Sequence, residues 1–239
     1  MTTRTERLYV WWGVAGMVLL FGGLLVAGLL PPPSPSESAT RISRFYQHHA
    51  TSIRWGSVIM MFGAACLGPW MAVMTKLIKK IEGPSSPTAY CQLALGALLI
   101  LELIFPLMIL EVTVLRPDRA PSEILLLSDL SWIPFLGIAY TFVIELLVTA
   151  VAVFHDRQDH PVFPRWLAPF NVAVAVLSLP GASIVVTTTG PFAWNGAFGF
   201  WVPAFAFGTW AAVMTAAMLK AVSAPESERP GSLSSSIAG

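Results

Sequence analysis

Six long apolar segments run through this chain of 239 residues, and few folds can accommodate them. They cover residues 8–30, 54–77, 88–115, 132–154, 165–187 and 197–221. A helix needs about 20 residues to cross the hydrocarbon core of a bilayer. Inside lipid, helices and closed barrels are the structures that satisfy every backbone polar group. We therefore predict an all-α fold, a polytopic transmembrane bundle of about six helices.

The composition also favours lipid as the solvent of this fold. Hydrophobic residues make up 55% of the chain and charged residues 11%, whereas soluble domains are about 25% charged. The net charge of +1 and the lack of a basic patch suited to a phosphate backbone argue against nucleic acid as a partner. Cys66 and Cys91 fall at different depths of different segments, so we predict no disulfide. We expect no cofactor and no resident metal.

Lysine and arginine near the segment ends indicate how the chain crosses the membrane. With the amino terminus in the cytoplasm, nine of the 14 basic residues lie on the inner side and five on the outer side. The cluster of Lys76, Lys79 and Lys80 is the strongest part of this bias. The positive-inside rule then predicts a multi-pass protein of the bacterial plasma membrane with both termini cytoplasmic.

We predict one transmembrane helical domain, residues 1–222, and a disordered cytoplasmic tail, residues 223–239. The tail is rich in Ser, Pro, Glu and Gly, which disfavours a packed structure. The first apolar segment is too long for the core of a signal peptide, and no small-residue cleavage site follows it. We therefore interpret this segment as a membrane span.

The loop after the first segment carries its own helix signals. Three prolines at residues 31–33 end the first segment, and residues 34–37 resemble a capping box. Apolar residues then recur every three or four positions through residue 53, which predicts a short amphipathic helix at the outer interface or capping the bundle. Pro121 begins a second such helix, and Pro180-Gly181 is the best candidate for a local break in the fifth span.

Two carboxylates lie near the middle of predicted spans. They are Glu102 in the third span and Glu145 in the fourth, and a charge at this depth costs about 2.5 to 3.5 kcal/mol. The two spans run in opposite directions, so we expect the carboxyls to approach each other at similar depth. Burial and a like-charged neighbour favour a neutral acid, which predicts a catalytic proton donor. The alternative is that both acids only hold helices together.

Further polar and aromatic residues are predicted to bind substrate. Thr141 and Thr149 lie one helical turn to either side of Glu145, on the same face. A buried threonine also commonly bonds to its own helix backbone, so this alternative stays open. The other predicted contacts are Asn171, Trp194, Asn195 and Phe105. The expected partners are membrane lipid and a hydrophobic small molecule, and the sequence identifies no partner protein.

Glu111 follows Glu102 by nine residues, which turns it about 180° round the helix. We therefore expect Glu111 to point away from Glu102. Its position near the outer surface predicts a charge network with Asp129, Arg116 and Arg54. The alternative is that Glu111 forms a gate to the pocket.

The loop after the fourth segment holds His155, Asp156, Asp159 and His160. Its Asp-x-x-Asp spacing is similar to motifs that hold magnesium against a diphosphate. Two histidines and two aspartates are also possible ligands of a transition metal. The alternative is a solvated polar loop between two spans.

Four short motifs carry a resemblance to known proteins. They lie at residues 31–36, 116–132, 161–166 and 190–196. Together they resemble an uncharacterised family of small bacterial polytopic membrane proteins, which implies a multi-pass fold. In size and aromatic content the chain is also similar to integral-membrane terpene cyclases. That looser likeness implies an acid that protonates an isoprenoid.

We predict from these features an integral-membrane enzyme acting on a hydrophobic, lipid-dissolved substrate. Acid-initiated cyclisation or isomerisation of an isoprenoid fits best, because aromatic faces stabilise cationic intermediates. The paired acids and the prolines inside spans fit two alternatives as well. One is a carrier or channel for a small apolar solute or a proton, and the other is a non-catalytic membrane subunit.

Overall fold

The computed structural model describes residues 3–137 and 139–223, and within these ranges the chain is helical and contains no strand. The α-helices are α1 (Thr3–Ala27), α2 (Ala39–Glu82), α3 (Pro87–Leu115), α4 (Pro121–Gly137), α5 (Ala139–His155), α6 (Leu167–Ser178) and α7 (Val202–Ser223). A 3₁₀ segment, Leu179–Ser183, follows α6, and a π-helical turn, Ala197–Trp201, precedes α7. The predicted all-α polytopic bundle is confirmed.

Five helical stretches are long and apolar enough to cross a bilayer. They are Thr3–Ala27, Ala39–Glu82, Pro87–Leu115, Pro121–His155 and Ala197–Ser223. The predicted fifth span is shorter, since Leu167–Ser183 combines α6 with the 3₁₀ segment. Large apolar side chains such as Leu25, Phe62 and Phe205 are about two-thirds exposed on the bundle surface, each at 68% to 70%. Such a surface suits lipid, and the chain is a multi-pass membrane protein.

The amphipathic helix predicted in the first loop is not a separate element. It is the start of α2, a single helix of 44 residues that extends about 66 Å. The helix begins after Ser38, whose side chain caps Arg41 N at 3.4 Å, and not at the predicted capping box. No proline or glycine interrupts the sequence between Ala39 and Trp55, so nothing ends the helix before the membrane.

The first part of α2 packs against the bundle. Tyr46 is completely buried, and its hydroxyl lies 3.1 Å from Ser128 Oγ. Trp132 Nε1 of α4 donates to the same hydroxyl at 3.1 Å. These two contacts fix the α2 extension on α4, so the segment caps the bundle.

Glycine brings α1 and α2 into backbone contact. A Cβ atom on Gly56 would lie 2.5 Å from Ala27 Cβ and 2.6 Å from Gly23 O. A Cβ on Gly63 would lie 2.8 Å from Gly16 O. Small residues let membrane helices approach in this way, so α1 and α2 form a close antiparallel hairpin.

The helices close into a ring. Helix α1 contacts α2 and α7, α2 contacts α3, α3 contacts α5, α5 contacts α6, and α6 contacts α7. Lys76 at one end of the bundle is ion-paired with Glu6 near the start of α1. We call this the lysine end, and we call the opposite end, with Arg54 and Arg116, the arginine end. The 3₁₀ segment at Leu179–Ser183 confirms the break predicted at Pro180-Gly181.

The carboxyl-terminal tail predicted over residues 223–239 lies outside the described residues, apart from Ser223, the last residue of α7. Arg229, counted with the inner basic residues, also lies outside them. Cys66 and Cys91 are both free thiols, as predicted.

Candidate functional site: a phenylalanine pocket and a buried acid

A pocket lined by phenylalanine lies in the half of the bundle nearer the arginine end. The centre of a water-sized sphere can occupy about 90 Å³ of it, and the space including its open mouth and the solvent there is about 750 Å³. Five of the lining residues are Phe21, Phe135, Phe142, Phe200 and Phe207. The others are small or aliphatic, apart from Ser178, whose hydroxyl already donates to Val174 O at 2.8 Å. The lining therefore suits an uncharged apolar molecule.

A groove between α1 and α7 lies on the other side of one pocket wall. It is lined by Leu25 and Phe205, among others, and shares Phe21, Phe200 and Ala204 with the pocket. Phe205 is 70% exposed, as expected for a side chain that faces lipid. The three shared residues thus form the wall between the phenylalanine pocket and the lipid-facing surface.

Glu102 is paired with Thr141 beside this pocket. The Thr141 hydroxyl of α5 donates to Glu102 Oε2 of α3, and both residues are half-buried. The next residue along each helix, Leu103 and Phe142, lines the pocket. Glu102 and Thr141 are not lining residues themselves, so this acid lies next to the pocket and not inside it.

Glu145 belongs to a polar chain that joins three helices. Gln92 Nε2 of α3 donates to Glu145 Oε1 of α5 at 3.2 Å. Thr75 Oγ1 of α2 lies 2.6 Å from Gln92 Oε1 and donates to it. Glu145 and Gln92 are completely buried, and Thr75 is nearly so. These hydrogen bonds between side chains therefore fix the relative depth of α2, α3 and α5.

Two polar atoms next to this chain have no hydrogen-bond partner in the described part of the protein. They are Glu145 Oε2 and Thr149 Oγ1. Thr149 follows Glu145 by one helical turn, and both side chains are completely buried. An unpaired buried polar group is costly, so these two atoms mark a candidate binding point.

The two acids do not share one site, contrary to the expectation that their carboxyls approach. Glu102 is bonded to Thr141, whereas Glu145 lies four residues further along α5 and is bonded to Gln92. Gln92 in turn precedes Glu102 by ten residues on α3. The two bonded positions are thus about 6 Å apart along α5 and about 15 Å apart along α3, so the two acids have separate partners at different depths.

Asn171, predicted to contact substrate, holds helices together. Its Nδ2 donates to Leu167 O at 2.7 Å, and its Oδ1 accepts from Trp210 Nε1 at 2.9 Å. Nearby, Trp70 Nε1 of α2 donates to Thr215 Oγ1 of α7 at 3.0 Å. Together with the Glu145 chain, these groups form a buried polar layer in the half of the bundle nearer the lysine end.

Phe142 connects the phenylalanine pocket to this polar layer. Its ring centroid lies 5.2 Å from that of Phe207 and 5.0 Å from that of Trp210, both edge to face. Phe142 also precedes Glu145 by three residues on α5. Phe142 therefore lines the pocket and also contacts Trp210, the residue whose Nε1 donates to Asn171 Oδ1.

The remaining predicted contacts lie outside the pocket. Trp194 Nε1 donates to Pro33 O at 2.8 Å and joins the last loop to the first. Asn195 is half-buried beside it. Phe105 is 52% exposed on the outer surface of α3, where lipid is its neighbour. The pocket is thus built from other aromatic residues than those expected from the sequence.

The loop of residues 155–160 is organised by Asp156. This carboxylate is buried and accepts from Gln158 N at 3.2 Å and from Val162 N at 2.8 Å. Gln158 Nε2 donates to Lys80 O at 2.9 Å, which ties the loop to the end of α2. Within the described residues no three His, Cys, Asp or Glu side chains are grouped so as to hold a metal ion. Asp156 therefore holds its own loop together and is not solvated.

The charge network expected around Glu111 does not form among the described residues, where the ion pairs are Arg41–Glu37 and Lys76–Glu6. Arg54 instead donates to Val114 O and Leu115 O, with its shortest contact at 2.6 Å. Arg54 therefore satisfies free carbonyl groups at the end of α3.

Sequence reasoning missed Gln92 and Thr75. Gln92 carried a usable signal, because an amide inside an apolar segment needs a partner in lipid. The five pocket phenylalanines carried no such signal, since they are scattered from residue 21 to residue 207. Their convergence follows from the ring of helices and not from a local pattern.

The fold and these sites define a class of protein, a multi-pass α-helical membrane protein with an apolar pocket and a separate buried acid. No family model, no curated protein and no solved structure matches this chain.

Proposed function

We propose that this protein binds an apolar, lipid-dissolved molecule in the phenylalanine pocket, as a carrier of the plasma membrane. The observation that carries the proposal is the pocket lining, five phenylalanines with no unpaired polar group. Binding sites for small molecules usually combine apolar walls with a few polar groups that fix orientation. A lining without such groups supports a hydrocarbon chain as the ligand.

Isoprenoids are the ligand class that we propose. Aromatic ring faces are electron-rich and attract polarised or positively charged carbon. The wall formed by Phe21, Phe200 and Ala204 supports entry from the lipid side, where an isoprenoid is dissolved. The Lys76, Lys79 and Lys80 cluster supports a cytoplasmic lysine end.

The test is binding of a photoreactive isoprenoid to the purified protein in lipid nanodiscs. Leu136→Trp fills the pocket and is expected to weaken binding at least about tenfold, or about 1.4 kcal/mol. The matched control is Leu101→Trp, because Leu101 is 57% exposed on the lipid-facing surface of α3. Equal binding by both variants, or crosslinks that map away from the pocket, would contradict the proposal.

A second candidate function is acid-initiated isomerisation or cyclisation of the bound isoprenoid. It is favoured by the Glu102–Thr141 pair, whose neighbours Leu103 and Phe142 line the pocket. Glu102 would transfer its proton to one alkene carbon, leaving a carbocation that the phenylalanine faces stabilise. Loss of a proton from a neighbouring carbon back to the carboxylate would complete the reaction.

Product analysis separates the two candidates. An enzyme converts the bound isoprenoid into an isomer of the same mass, and Glu102→Gln abolishes conversion while binding is retained. A wild-type protein that binds the isoprenoid and returns it unchanged excludes this second candidate and leaves the carrier proposal in place.

A further inference from the structure

We propose that Glu145 and Thr149 form an intramembrane proton-binding site: Glu145 Oε2 carries an exchangeable proton, and rotation of the two side chains would bring that proton to Thr149 Oγ1, to which it is not bonded in the structure. The site lies in the polar layer and does not line the phenylalanine pocket. The inference is therefore independent of the apolar ligand proposed above.

The charge of Glu145 has no counter-ion. Neither ion pair formed within residues 3–137 and 139–223 includes Glu145, and its side chain is completely buried. An isolated carboxylate in a medium of low dielectric constant costs tens of kcal/mol, so such a group becomes neutral instead. Attachment of a proton is the simplest neutralisation.

The hydrogen bonds around Glu145 indicate which oxygen carries the proton. Oε1 accepts from Gln92 Nε2 at 3.2 Å. The carbonyl oxygen of Gln92 is held by Thr75 Oγ1 at 2.6 Å, which keeps the amide nitrogen turned toward Glu145. Gln92 therefore presents a donor, and the proton belongs on the other oxygen.

Thr149 supplies the acceptor for this proton. Its hydroxyl oxygen has two lone pairs, and among the residues described it has no hydrogen-bond partner, Glu145 included. The one-turn spacing places it on the same face of α5 as Glu145. When the proton leaves, the Thr149 hydroxyl can turn and donate to Oε2, so the pair serves both protonation states.

Other titratable groups near Glu145 are already engaged or exposed. Helix α5 packs against α2, α3, α6 and the 3₁₀ segment, and Phe142 also contacts Phe207 and Trp210 of α7. Neither α6 nor the 3₁₀ segment contains a titratable side chain, and Lys220 in the last turn of α7 is exposed. On α3, Glu102 is bonded to Thr141 and Cys91 is exposed. On α2, Lys76 is paired with Glu6. The residues that face Glu145 from α3 and α2, Gln92 and Thr75, do not titrate.

The site lies close to water at the lysine end. Gln92 is five residues from the first residue of α3, and Thr75 is seven residues from the last residue of α2. At about 1.5 Å per residue these positions are about 7 to 10 Å from the helix ends. The lysine end is therefore the nearer side for exchange of this proton with water.

Infrared difference spectroscopy of the purified protein in nanodiscs tests the proposal. We expect a carbonyl stretching band of a protonated carboxylic acid at neutral pH, which shifts in D₂O. Glu145→Gln is expected to remove one component of the band, and Glu102→Gln is expected to retain that component. Thr149→Val is expected to keep the band and move it to higher wavenumber, because the proton loses its acceptor.

Three outcomes would overturn the proposal. The band could be unchanged in Glu145→Gln, the component assigned to Glu145 could be lost in Glu102→Gln alone, or that component could appear only after sodium is removed. The last result would assign Glu145 and Thr149 to a sodium ion instead of a proton.

The pH dependence of thermal unfolding in detergent gives a second measurement that needs no spectral assignment. A proton bound by the folded protein and released on unfolding stabilises the fold less as pH rises. The unfolding midpoint of the wild type is therefore expected to fall as pH rises above the ordinary pKa of a glutamate, about 4.3, until the folded protein also releases the proton, and Glu145→Gln is expected to remove most of this slope. An equal slope in both proteins would contradict a proton on Glu145.

Discussion

Gln92 Nε2 on α3 donates to Glu145 Oε1 on α5 across 3.2 Å, and both residues are completely buried. The bond fixes the register between two antiparallel helices. It lies in the half of the bundle near the lysine end, whereas the phenylalanine pocket lies in the half near the arginine end. The two candidate activities, proton binding and binding of an apolar chain, are thus assigned to different halves of one fold.

Gln92→Leu is expected to destabilise the protein by about 1–3 kcal/mol, because it removes the donor of a buried carboxyl oxygen. Unfolding in mixed micelles by a denaturing detergent measures this change. Gln47→Leu is the control, since Gln47 is an exposed amide on the α2 extension. A smaller loss in Gln92→Leu than in Gln47→Leu would contradict the assigned role.

Gly56→Ala is expected to destabilise the α1–α2 hairpin by about 1–3 kcal/mol, the usual cost of overpacking. The new methyl group would lie 2.6 Å from Gly23 O, so the two backbones must separate. Gly22→Ala in α1 meets nothing within 4 Å and is expected to stabilise the helix by up to about 1 kcal/mol. The same unfolding assay compares the two, and effects of equal sign would be inconsistent with the glycine contact.

Asp156→Ala is expected to loosen the loop between α5 and α6. The change removes a charged acceptor from two backbone N–H groups, and each such bond contributes about 1.5–3 kcal/mol. Limited proteolysis at the lysine end should then cut this loop faster. Asp159→Ala alters an exposed aspartate of the same loop and is expected to leave the cleavage rate unchanged.

Lys76→Met is expected to destabilise the protein by about 1–2 kcal/mol, because it leaves the buried carboxylate of Glu6 without its cation. The double variant Glu6→Gln with Lys76→Met removes both charges and is expected to recover most of that loss. Thermal unfolding in detergent checks both variants. A double variant that is less stable than Lys76→Met alone would mean that Glu6 has another role.

The helices were predictable from the sequence where the length of an apolar segment, or a proline or glycine that ends a helix, decides the structure. The start of α4 at Pro121 and the break at Pro180 follow from residues that cannot continue an α-helix. The α2 extension was predicted as helical but as a separate element. The capping box at residues 34–37 suggested a local start, and the lack of any later breaker proved more important.

The site was less predictable, because it depends on how helices pack and not on their individual sequences. Glu102 and Glu145 are both near the middle of their segments, yet the register of α3 against α5 gives them different partners. Thr149 was identified from its one-turn spacing to Glu145. The pocket required the ring closure of α1 against α7, which no local pattern indicates.

The order of the polar residues along the chain also sets the order in which they reach the membrane during synthesis. The α1–α2 hairpin is complete at Glu82, and its glycine contacts need no later segment. Thr75 and Gln92 are therefore inserted before Glu145 emerges from the ribosome, since synthesis runs from the amino terminus. Glu145, whose carboxyl is costly to place in lipid, therefore enters the membrane after Gln92, its hydrogen-bond donor, is already there. In this way the earlier half of the chain assists the insertion of the later half.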